Sequence, residues 1–127
     1  MHEHKTFEGR QNVDEEEILW RKIHRKQLVP DEETGRFRPM SGAFKDIRKE
    51  LSVDVASKTT KKKALVEWAV GIAAFSASIP LKHGNRVIYD PMPDNPAHAL
   101  VLGALSNQCI QEILDKYHWV IEPKNLL

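Results

Sequence analysis

A single cysteine, Cys109, is all the thiol chemistry the chain has. No intramolecular disulfide can form, so the fold does not rest on oxidation and a reducing, cytoplasmic setting is the expectation. Charge of one sign is also scarce. Nineteen Lys+Arg meet eighteen Asp+Glu, a formal charge of +1, which gives no global attraction to nucleic acid or to an anionic membrane. An electrostatic partner would have to use a local patch. Long apolar runs are missing too: the most apolar segment, ALVEWAVGIAAFSASIPL from Ala64 to Leu81, is interrupted by Glu67 and Pro80. It is too short between them to cross about 30 Å of hydrocarbon as a helix, and it reads as core. Phosphate-loop, dinucleotide and Gly-x-Ser-x-Gly fingerprints are absent, which removes the commonest nucleotide and hydrolase signatures. The six histidines are scattered without a spacing that sets two ligands on one face, so no metal is expected.

What is present fits one domain of globular composition, 127 residues with 41% hydrophobic and 29% charged. Residues 1–14 read as a flexible polar tail and 15–127 as a single α+β domain, with a mixed sheet of about five short strands and two main helices. Alternation predicts a strand over 18–24 and another in LSVDVAS. Between them VPDEETGRFRPMSG is turn and loop chemistry with a short extended piece at 36–38. Thr59 or Thr60 can cap a helix through KKKALVEWA, with Leu65, Trp68 and Ala69 on its inner side. Gly71 stops that helix and launches a buried strand at about 72–77, or the helix runs on to Phe75; periodicity alone leaves both open. HGNR turns the chain into the strand RVIYD, HALVLGAL is a strand ending near Gly103, Ser106 caps the helix NQCIQEILDKY, and HWVIEP closes as a strand.

The chemistry-bearing residues concentrate in a few places. In DPMPDNPAHA three prolines fix the backbone and push Asp90, Met92 and Asn95 into extended geometry. That makes a rigid corner, and a corner can also aim Asp90, Asp94, Asn95 and His98 at one point. Residues 1–63 hold fifteen Lys+Arg against twelve Asp+Glu, with Lys61, Lys62 and Lys63 in one run, whereas 64–127 hold four against six. Only Trp20 and Phe37 lie near the basic clusters to stack on bases, so nucleic acid ranks below a protein partner. Cys109, near a helix start with apolar neighbours one turn away, reads as a buried and inert thiol.

The series LWRKI, VPDEETGRFRPMSGAF, LSVDVAS and DPMPDNPAHALVLG resembles a group of small prokaryotic proteins of unassigned function that share R-P-x-S-x-A-F, L-S-V-D and N-P-A-H-A motifs. The resemblance covers about residues 19–103 and implies a prokaryotic origin and a compact domain, with no mechanism attached. Its polar positions here are Arg21, Arg38, Ser41, Ser52, Asp54, Asp90, Asn95 and His98, the candidate ligand-binding set. Two functions use that set differently. The preferred one is a small binding or accessory module that docks on a protein partner, without cofactor. The alternative is an ADP-ribosyltransferase-like domain binding NAD, with Arg21 or Arg38 on phosphate, Ser41 and Ser52 on ribose, and Asp54 beside the sugar cation. No late strand of this chain supplies the catalytic glutamate such a domain would use.

Overall fold

Ile18, Trp20, Lys22 and His24 alternate with Leu19, Arg21 and Ile23, and the second set carries the two residues of this segment with no solvent exposure, Leu19 and Ile23. In the computed structural model, which describes residues 10–124, this segment is strand β1 (Ile18–His24), as its alternation predicts. The following strands are β2 (Leu28–Asp31), β3 (Arg36–Pro39), β4 (Glu50–Val55), β5 (Ala69–Ser76), β6 (Arg86–Tyr89), β7 (His98–Leu102) and β8 (His118–Ile121). Three α-helices interleave with them: α1 (Lys61–Ala64), α2 (Ser78–Lys82) and α3 (Asn107–Lys116). Six strands form one sheet in the order β6-β7-β4-β1-β5-β8, and each adjacent pair is antiparallel. Strands β2 and β3 make a separate hairpin, so the extended piece expected at 36–38 has a partner that its Pro-containing sequence concealed. The chain is a single α+β domain, and none of its described helices is long and apolar enough to cross a membrane.

One face of the sheet is dry. Leu19, Ile23, Leu51, Val53, Val55, Phe75, Val87, Ala99 and Val101 share a buried cluster with Cys109, Ile110 and Ile113 of α3. Phe44, from a short 3-10 turn over Ser41–Phe44, meets Phe75 edge-on at 5.8 Å between ring centres. Ser106 caps α3 as expected, its hydroxyl accepting from the Cys109 backbone N–H. Burial first, and Glu112 second, push the Cys109 thiol up to about 11, which fits an unreactive core residue.

Two expectations give way to tertiary structure. The helix opening at Thr60 is capped as read, Thr60 accepting from Lys63, but it ends at Ala64. Strand β5 claims the chain from Ala69, where it pairs with His24, and then forms ladders with β1 on one side and β8 on the other. Seven β5 residues paired with β1, three of them paired with β8 as well, outweigh the extra helical turn that local propensity would add. Leu65 and Trp68 consequently face out, at 44% and 52% exposure, and not toward the core. Gly71 lies within β5, where a Cβ would come 2.9 Å from both the Ile121 carbonyl and Pro123 Cγ. Close approach of β8 explains the glycine, with no helix stop involved.

The expected polar tail divides. Residues 1–9 lie outside the described residues. Residues 10–13 run along the outer edge of β6: Val13 donates to Val87, Tyr89 donates to Gln11, and Val13 is 3% exposed. The hydrogen-bonding demand of an open sheet edge accounts for this added piece of strand.

Candidate functional site

Register builds the site on the other face. Trp20 in β1 stands opposite Asp54 in β4, and Asp54 stands opposite His98 in β7. Directly paired residues share a face, so three strands deliver an indole, a carboxylate and an imidazole in one row. Lys22, two residues after Trp20, reaches diagonally to Asp54, its Nζ 2.6 Å from Oδ2. Ser52 lies two residues before Asp54 on the same face. Trp68 lies just before β5, beside the irregularity in register between Ile23 and His24, and lines this face too. Its indole stacks on the His24 ring at 6.2 Å between centres.

Asp54 is the one charged residue in the described core, 2% exposed. Lys22 covers one of its oxygens and the Asn95 amide donates to the other at 2.8 Å. A carboxylate taken out of water needs such partners, because attraction between the charges must offset the loss of hydration. Asn95 comes from the Pro-rich segment between β6 and β7, where it exchanges backbone hydrogen bonds with Met92. The corner therefore also positions a side chain. His98 is held from behind: Nδ1 lies 3.1 Å from the Asp90 carboxylate and 3.0 Å from the Asp90 carbonyl. Asp90 also pairs with Arg10, which fastens the N-terminal edge piece to the base of the same hairpin.

Trp20, Lys22, Ser52, Asp54, Trp68 and His98 line a cleft of about 130 Å³, to which Arg21 and Val53 contribute as well. Of the eight residues singled out from sequence, Arg21, Ser52, Asp54 and His98 line this cleft. Asn95 and Asp90 support it from behind through Asp54 and His98. Arg38 and Ser41 do not line it. Arg38 borders a larger furrow of about 690 Å³ between the β2–β3 hairpin and α3, with Asp31, Glu32, Glu33, Asp115 and Tyr117 among its walls. Those carboxylates mark an open, solvated channel and not a dry pocket. Ser41 is exposed at the start of the 3-10 turn before β4.

The eight thus form no common NAD site. A cleft of this volume is well below the roughly 300–1,000 Å³ of ordinary cofactor pockets. The Arg21 guanidinium is engaged by two backbone carbonyls, Ala43 and Ser52, each at 2.9 Å, so it ties the 3-10 turn and β4 to β1. Burial lowers its pKa, opposed by the nearby Asp46 carboxylate. Among the described residues, no group of three or more His, Cys, Asp or Glu side chains is placed to hold a metal ion.

Two site residues were invisible to local sequence reading. Lys22 sat in a run of basic residues with nothing to distinguish it, and Trp68 looked like the inner face of a helix. The alternation of β1 carried a usable signal, since it puts Trp20, Lys22 and His24 on one side of a strand. No family model, curated protein or solved structure matches the chain.

Proposed function

We propose that the chain is a binding module that docks on a protein partner through the face centred on Trp68. The observation that carries this reading is the exposure of Trp68, 52%, beside Leu65 at 44%. Both lie in a segment that begins with the exposed lysines 61–63. A solvent-facing indole stacked on a histidine contributes little to the core, whereas tryptophan is the residue type most enriched among binding hot spots. Lys61, Lys62 and Lys63 occupy one turn of helix in which no acidic residue stands. Their mutual repulsion favours a partner that brings carboxylates around an apolar anchor.

Affinity capture with wild-type protein and with Trp68→Ala, followed by reconstitution of the purified captured protein, tests the proposal. Loss of a central tryptophan costs about 2 kcal/mol or more, roughly 30-fold in Kd. Replacement of the three lysines by glutamate should weaken binding further, and the wild-type affinity should fall as salt is raised. A reconstituted partner that binds Trp68→Ala and wild type equally would refute the assignment.

A further inference from the structure

The face also has a recess, and its chemistry specifies what enters. The cleft beside Trp68, about 130 Å³, is equivalent to about four waters at roughly 30 Å³ each. It holds one ring and not a nucleotide. Trp20 and Trp68 supply flat apolar surface. The charges are already satisfied: Asp54 is taken by Lys22 and Asn95, so a carboxylate or phosphate would meet no spare countercharge. Two groups in the lining have no protein hydrogen bond among the described residues, the Ser52 hydroxyl and the Nε2 edge of His98. Nδ1 is turned to the Asp90 carboxylate, and the tautomer that carries its proton on Nδ1 presents Nε2 as an acceptor. The occupant must then be a neutral flat ring carrying a hydrogen-bond donor, and a hydroxyl that can also accept from Ser52 satisfies both groups.

On the strength of the docking face proposed above, we infer that the cleft receives a phenol ring, the tyrosine side chain of the docking partner. The ring lies against the two indoles, its O–H donates to His98 Nε2, and Ser52 Oγ donates to the same oxygen. Phenylalanine fills the volume but leaves the largely buried His98 Nε2 without a partner, which is the kind of deficit that makes a polar site reject an apolar analogue.

The test is an NMR titration of the full chain with N-acetyl-tyrosinamide, N-acetyl-phenylalaninamide and uridine, read at the three indole N–H signals. Trp119, whose indole donates to the Phe37 carbonyl away from the cleft, is an internal control. The inference predicts saturable shifts of Trp20 and Trp68 with the tyrosine compound and none at Trp119. The phenylalanine compound should bind at least fivefold more weakly. Ser52→Ala, an exposed and structurally undemanding change, should narrow that preference, and His98→Phe should abolish it. Absence of saturable shifts, equal binding of the two amino acid derivatives, or tighter binding of uridine would overturn the phenol assignment. If the indoles stay silent while partner affinity still depends on Trp68, the phenol fails and the docking face stands. If the tyrosine compound binds but partner affinity ignores Trp68→Ala, the docking face fails and the cleft remains a phenol site.

Discussion

The two faces of the sheet are built from the same strands by the same alternation, yet they do opposite things. The α3 face buries Leu19, Val53, Val55, Phe75 and Val101 against Ile110 and Ile113, with aliphatic and aromatic contacts throughout. The opposite face carries Trp20, Lys22, Ser52, Asp54 and His98 from those strands, and Trp68 stands exposed beside them. A sheet with one face already sealed by a helix has its stability supplied from that side. The other face holds a buried charge pair, Lys22 and Asp54, that the fold needs intact, together with an unpaired imidazole edge and an exposed indole that folding does not demand. Outside that charge pair, mutations on the two faces should separate stability from binding.

The sharpest contrast comes from Phe44, 1% exposed and packed on Phe75. Phe44→Ala should cost about 3–5 kcal/mol in chemical denaturation while the surviving folded molecules keep wild-type affinity for partner. On the other face, Lys22→Met strands the buried Asp54 carboxylate without its cation. Breaking a buried pair costs about 3–5 kcal/mol, so this single position should rival a core truncation in the same assay. An almost neutral result would mean that Asp54 has water to replace the lysine. Gly71→Ala tests the join between β5 and β8. With the new Cβ 2.9 Å from Pro123 Cγ and the Ile121 carbonyl, overpacking should cost about 1–3 kcal/mol, read as a lower thermal midpoint.

A smaller effect concerns the middle of α3, at Glu112. Hydrogen bonds from Lys116, Lys82 and His83 hold the Glu112 carboxyl down at about 2, against an ordinary value of 4.5. A depressed folded pKa stabilises the protein above the unfolded value and loses that contribution as pH falls through the folded one. Glu112→Gln should therefore be slightly less stable at neutral pH, and should show a flatter loss of stability between pH 4.5 and 2 than wild type. Parallel acid-unfolding curves for the two proteins would remove Glu112 from this account.

Much of the fold was legible because alternation and caps are local properties. Strands 18–24 and 98–102 and the Ser106 cap could be read from a few residues each. The stretch from Leu65 to Phe75 was legible only in part: the buried strand expected at about 72–77 is the later part of β5 (Ala69–Ser76), but periodicity also allowed a helix to Phe75, and pairing with β1 and β8, far away in sequence, decides for the strand. The same non-local decision turned Trp68 outward. Helix α2 also escaped notice, being a five-residue turn containing Pro80. Within the site, chemistry-rich residue types pointed to Ser52, Asp54, Asn95 and His98; the β4–β7 register aligns Ser52, Asp54 and His98, and the Pro-rich segment brings Asn95 to Asp54. Arg38 and Ser41 share a motif with one another but not the cleft, since the β2–β3 hairpin takes Arg38 to a different surface. Proximity in sequence says little about convergence when a separate hairpin intervenes.

The central claim is that the Trp68 face serves recognition and not folding. The most direct measurement is the affinity of the reconstituted partner for Trp68→Ala, taken on protein whose thermal midpoint is recorded alongside. The account predicts a stability change within about 0.5 kcal/mol, as for surface positions generally, together with a loss of roughly 30-fold in affinity. A variant that loses several kcal/mol of stability and yet binds its partner as tightly as wild type would contradict it.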